Sequence, residues 1–222
     1  MTVEKEVINI DGIPVNMTRQ EGKPLIILTR MASQAMGIWD TIWGDFARYF
    51  TVANFDLQGL PGARRRDAPG EGFRMLAENC VQVAAFLGFE KFHIFGWNGG
   101  TQIAMRCAVN FADHIQSCIL LDPFFELADM RKVNKAIEFK RVLFEHPQRE
   151  LYAYSWVMAG LSTGFIGQHF DQVEKMVAAR MNGDKFVKTD PDVFINWVRA
   201  LRRNWITDEE FGRIRAPTLV MA

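Results

Sequence analysis

An excess of charge of either sign is missing from this sequence. Lys plus Arg equals Asp plus Glu at 26 each, so no net field draws the chain to nucleic acid or to an anionic membrane. The one basic cluster, Arg64-Arg65-Arg66, lies in a Pro/Gly-rich stretch, where exposure to solvent explains it. Cysteine is scarce as well. Cys80, Cys107 and Cys118 are widely spaced, and neither a CxxC pair nor a Cys/His spacing points to zinc. All three fall in apolar segments, so reduced, buried thiols in a cytoplasmic protein are expected. No apolar run approaches the about 18 residues of a membrane span. Met1–Asn9 is charged and lacks an apolar centre, so no secretory leader is expected. No metal or cofactor is implied.

What is present is ordinary for a globular protein: 222 residues, 49% hydrophobic and 23% charged, enough for one domain with a sizeable core. Hydrophobic spacing then orders the elements. Val7–Ile10 and Ile13–Met17 flank Asp11-Gly12, a dipeptide suited to a tight hairpin turn. Pro24–Leu28, Thr51–Phe55, Lys91–Gly96 and Ser117–Asp122 read as short buried strands. Helices are predicted over Gly37–Phe50, Phe73–Leu87 and Gly99–Phe111, with a long loop from Gly59 to Gly72. From Phe124 to about Gly212 the patterns are helical, and Ala216–Ala222 begins another strand. Strands alternating with helices imply a mostly parallel sheet, here with an antiparallel hairpin at one edge. The long helical stretch exceeds any simple crossover. It is read as an inserted cap over 124–212, splitting a core of 1–123 and 213–222.

One motif carries chemistry. Gly96-Trp97-Asn98-Gly99-Gly100 follows an apolar strand and opens a helix, with small residues two before and two after its centre. This resembles the nucleophile elbow of the α/β-hydrolase-fold superfamily, whose tight turn lifts the central side chain above the sheet. A phosphate-cradling glycine turn is the competing reading, but the G-x-G-x-x-G spacing is absent. The resemblance implies an α/β-hydrolase fold with a twisted sheet, a helical cap, and a final strand and helix lying beyond Ala222.

Residue by residue, the resemblance puts Asn98 in the nucleophile position, where the family has Ser, Asp or Cys. A neutral carboxamide is a poor nucleophile. The resemblance further implies an oxyanion hole from the backbone N–H groups of Met31 and Gly99. It places Thr29, Arg30 and Trp97 around a pocket, with Thr29-Arg30 standing where the family often has His-Gly. Gln58 replaces an arginine of the loop after the fourth strand. The usual acid and histidine are expected past Ala222. Asp122, at the end of a strand, is the candidate acid within this sequence; its other role is to shape the turn before Pro123. The histidines do not fill the remaining gap: His93 lies in a buried strand, His114 at a helix end, and His146 and His169 in the helical stretch.

Three readings of function follow. One is a hydrolase-like protein acting on or binding a small apolar acyl or carbonyl compound. Another is a non-catalytic pseudo-hydrolase serving as a binding or partner module. The third is an aspartate-nucleophile enzyme, of dehalogenase or epoxide-hydrolase type, whose aspartate has become Asn98, either by engineering or as the unreacted form of a deamidating Asn-Gly pair. Arg30 tilts the ligand towards one carboxylate or enolate group if it faces the pocket, and says nothing if it faces solvent. The expected partner is a small molecule, with a second copy or another chain covering the sheet edge at the strand after Pro217.

Overall fold

Short β-branched and apolar runs line up as seven strands in the order β1-β2-β4-β3-β5-β6-β7. The computed structural model describes residues 4–30, 39–55, 72–123, 139, 142–143, 145–159, 161–183 and 206–221. β1 (Glu6–Ile10) and β2 (Ile13–Thr18) form the expected antiparallel hairpin. Its turn places Asp11 at φ 49° and Gly12 at φ 85°, the left-handed pair that a two-residue hairpin loop needs. β2 joins β4 (Thr51–Phe55) antiparallel. β3 (Leu25–Arg30), β5 (Phe92–Trp97), β6 (Ile115–Leu121) and β7 (Thr218–Met221) then continue from β4 in parallel.

The parallel strands are buried because helices cover them. α1 (Asp40–Ala47) brings Trp43 and Ala47, with Trp39 just before it, against Ile26, Leu28, Val52 and Phe95. Trp43 Nε1 also donates to the Thr18 hydroxyl at 2.9 Å, which satisfies the one polar atom of that ring. α2 (Phe73–Phe86) packs along α3 (Gly100–Asn110), and α3 lies on β3, β5 and β6. Alternation along β3 sends Ile26 and Leu28 to α1, and so Leu25 and Ile27 to the opposite face. From Gly100 to Ala108 every residue of α3 is buried, which marks it as the central helix of the core.

All three cysteines are free and buried, as their apolar surroundings imply. Burial pushes the Cys107 thiol well above its usual range and the Cys118 thiol up to about 12, so neither supplies a thiolate at neutral pH. Among the described residues no helix is long and apolar enough to cross a membrane.

The chain divides into two compact units, 1–126 with 196–222, and 127–195. In the second, α4 (Arg149–Ala159), α5 (Thr163–Gln168) and α6 (Phe170–Gly183) gather Ala153, Val173 and Val177 with Tyr154, Val157, Leu161 and Phe165. The Ser162 side chain caps α5 by accepting the Phe165 N–H at 3.2 Å. The segment after Ile206 belongs instead with the sheet unit. α7 (Asp208–Phe211) is tied to α3. The predicted loop over 59–71, the helix start at Gly37 and residues 124–138 lie outside the described residues.

Candidate functional site

The turn from β5 into α3 is as tight as its sequence implies. A Cβ placed on Gly96 would lie 2.6 Å from the Gly100 carbonyl oxygen and 2.7 Å from Thr101 Cα. One on Gly100 would lie 2.6 Å from the Thr29 carbonyl carbon and 2.8 Å from Arg30 Cα. Every atom in the way is backbone, so the small residues on either side of the apex are a steric requirement. Between them Asn98 adopts φ 54°, a left-handed conformation that asparagine tolerates better than most residues. Its backbone is held at both ends: the N–H donates to the Leu121 carbonyl at 2.8 Å, and the carbonyl accepts the Thr101 hydroxyl at 2.6 Å.

β6 ends the same way. Asp122 has φ 51°, and its N–H donates to the Met221 carbonyl at 2.7 Å. Two neighbouring parallel strands thus stop at the same level, each with a left-handed residue one step past its end. Their side chains meet: Asn98 Nδ2 donates to Asp122 Oδ2 at 3.1 Å. The other end of the carboxamide turns inward, where Oδ1 accepts the Gly99 backbone N–H at 2.9 Å. The Gly99 N–H, an expected oxyanion donor, is thus engaged by the asparagine's own oxygen. Met31, the other expected donor, and Gln58 lie outside the described residues.

Thr29, expected near the pocket, is held in the core. It is 2% exposed, and its hydroxyl shares its proton beneath the turn between the carbonyls of Phe95, at 3.1 Å, and Gly100, at 3.2 Å. β3 runs on to Arg30, two residues beyond the apolar run seen in the sequence. That continuation pairs Thr29 with Gly96 and turns its side chain into the core. Thr29→Val should cost about 1 kcal/mol in urea unfolding, the usual net worth of one such hydrogen bond. Thr29→Ser should retain it; equal losses in the two variants would dismiss the hydroxyl bridge.

Arg30 pairs with Trp97 in register, and its guanidinium sits over the Trp97 ring, 4.3 Å from the centroid. Trp97 in turn meets Trp39 edge-on at 5.8 Å. The two residues expected around the pocket are thus stacked together at the C-terminal edge of the sheet, beside the Asn98 turn.

The histidines fall where their surroundings suggest. His93 Nδ1 lies 2.7 Å from the Ser117 hydroxyl, its ring against Phe50, and burial lowers its pKa. His114 Nδ1 is bonded to the Glu90 carbonyl, and His146 Nδ1 accepts the Gln148 N–H. His169 closes α5 with its ring 4.8 Å from Phe165. None of the four is joined to Asn98 or Asp122 by a described hydrogen bond.

Sequence reasoning missed one ionic element. Arg106 of α3, 8% exposed, grips Glu210 with both nitrogens, at 2.6 and 3.1 Å. Glu210 also completes a capping box with Thr207. The Thr207-x-x-Glu210 spacing is a legible cap signature, but nothing in the spacing of residues 106 and 210 foretells the pair.

No protein-family model matches the sequence. An α/β-hydrolase enzyme from a Medee basin deep-sea metagenome library superposes with a TM-score of 0.78 at 14% identity, over 97% of this chain and 78% of that one. Three curated relatives match in sequence, among them the following two. A fluoroacetate dehalogenase from a Burkholderia species is 25% identical over 123 residues, 54% of this chain and 40% of the relative. An N-formylmaleamate deformylase from Pseudomonas putida is 26% identical over 118 residues, 52% of this chain and 44% of the relative. The chain has the α/β-hydrolase fold. Its match spans less than half the length of those curated relatives. Within the α/β-hydrolase frame, the C-terminal strand ends are where ligands of parallel sheets gather. Asn98, Asp122, Arg30 and Trp97 all sit there.

Proposed function

We propose that the Asn98 turn binds a small carbonyl or carboxylate compound, in a hydrolase-like protein whose Asn98 does not act as a covalent nucleophile. The observation that carries this reading is the Gly99 N–H held by Asn98 Oδ1 at 2.9 Å. A neutral amide oxygen there stands in for the oxygen of a ligand. When the carboxamide swings aside, a ligand carbonyl takes the same donor. The amide itself has no lone pair free enough to attack a carbonyl carbon. Asp122 disfavours a second anionic group nearby, whereas Arg30, stacked on Trp97, offers positive charge to a first. The names of the two curated relatives agree with such a ligand, since fluoroacetate and N-formylmaleamate are both small carboxylates.

Thermal-shift screening of small aliphatic and aromatic carboxylates and esters tests the site. A ligand at a hundred times its Kd adds about 2.7 kcal/mol of stability. Arg30→Ala should reduce the shift given by carboxylates. Asn98→Gly keeps the left-handed backbone, removes the competing oxygen and should enlarge it. Stabilisation that is unchanged in both variants, or found with no compound, would defeat the proposal.

A further inference from the structure

We propose that Asn98 deamidates spontaneously and site-specifically in the folded protein, becoming an aspartate that faces Asp122. The inference concerns covalent chemistry at the turn and holds whether or not a ligand binds there. The sequence has two Asn-Gly pairs, Asn98-Gly99 and Asn182-Gly183. A glycine after asparagine leaves the following backbone nitrogen unhindered, because it lacks the Cβ that would crowd the approach.

The fold sets up the reacting atoms. Gly99 N lies 2.9 Å from Asn98 Oδ1, and the amide carbon Cγ is one C=O bond, about 1.2 Å, from that oxygen. Attacking nitrogen and electrophilic carbon therefore lie within about 4 Å of each other in the resting state. The leaving nitrogen, Nδ2, is drawn away from Gly99 by its hydrogen bond to Asp122 Oδ2 at 3.1 Å. The Asn98 side chain is only partly buried, so water and hydroxide reach it.

In the first step the Gly99 nitrogen loses its proton to solvent base and forms a bond to Cγ. The Cγ–Nδ2 bond breaks, and the nitrogen leaves as ammonia after taking a proton from water. The product is a five-membered succinimide. In the second step water adds to one ring carbonyl and the ring C–N bond opens, leaving a carboxylate. No electron donor or acceptor is needed.

The turn also selects the product. Opening at Cγ restores an ordinary main chain with aspartate at position 98. Opening at the backbone carbonyl would route the chain through the side chain and lengthen it by one atom. The turn resists that lengthening, because the Asn98 main chain is held at both ends, by the Leu121 carbonyl and the Thr101 hydroxyl. The new carboxylate would lie within hydrogen-bond reach of Asp122. Two carboxylates that close hold one shared proton, and one of the pair titrates well above the usual carboxylate range. Deamidation thus replaces an amide–carboxylate contact by a dicarboxylate pair with a nucleophilic and proton-accepting oxygen at the apex.

The test is peptide mapping of the full chain incubated at mildly alkaline pH, native and in urea, with the Asn98 and Asn182 peptides followed separately by mass spectrometry. Native protein should gain, at Asn98, the mass difference between OH and NH₂, with ordinary aspartate as the product. In the urea-unfolded chain isoaspartate should appear as well. Gly99→Ala, whose backbone φ of −57° suits alanine, should slow the native reaction several-fold. An Asn98 peptide that stays unchanged while the Asn182 peptide converts would overturn the proposal, as would isoaspartate as the main native product.

Discussion

Gly100→Ala is expected to lower folding stability by about 3 kcal/mol or more, the upper range for overpacking. The added Cβ would lie 2.6 Å from the Thr29 carbonyl carbon and 2.8 Å from Arg30 Cα. Neither atom belongs to a side chain that could rotate away, so β3 and α3 would have to separate. That motion would break the shared hydrogen bond of Thr29 and open the packing of a helix buried from Gly100 to Ala108. Urea unfolding of the variant should show a much lower midpoint. Gly164→Ala in α5 is the matched control, because nothing lies within 4 Å of a Cβ there. Helix propensity should leave it neutral or slightly stabilised. A Gly100→Ala midpoint close to that of Gly164→Ala would refute the close approach of β3 to the turn.

The second large effect lies at the Arg106–Glu210 pair. Arg106→Ala leaves a carboxylate facing the core without its bidentate partner, and the expected loss is about 2 kcal/mol. That is less than for a fully enclosed pair, because the Glu210 side chain keeps 25% of its exposure. The same pair sets a pH dependence. The Arg106 guanidinium first, and then the Thr207 backbone, hold the Glu210 carboxyl below its ordinary range. A carboxylate lowered on folding contributes stability that is fully present above its unfolded pKa. That contribution is lost as pH falls through its folded value. Wild-type stability should therefore decline on acidification below the ordinary glutamate range. Glu210→Gln should be less stable at neutral pH and lose less on acidification, so the two curves should converge in acid. Parallel curves across that range would show that the pair does not titrate as a unit.

Local rules were enough for much of the sheet unit. Asp11-Gly12 demands left-handed backbone, and that alone locates the hairpin. Phe73–Phe86 and Gly100–Asn110 are bounded by the same residues that spacing picks out, give or take one. The motif Gly96-Trp97-Asn98-Gly99-Gly100 also speaks for itself. Only a turn with backbone passing on both sides needs glycine two before and two after its apex. Arg30 and Trp97 were placed near one another only through the family resemblance, and the β3–β5 register is what pairs them.

Tertiary contacts decided the rest. The spacing of β3 could not say which way Thr29 turns, because a strand buried on both faces has no polar side to read. Its direction came from pairing with Gly96. Helical periodicity looks the same whichever layer a helix joins, so α7 could be assigned to the sheet unit only once Arg106 was found across from Glu210. Composition marked Asn98 as a weak nucleophile. Its engagement with Asp122 on one side and Gly99 on the other depends on β5 and β6 ending at the same height. That height is fixed by the register of the β5–β6 ladder, to which both strands contribute and which neither strand's sequence contains.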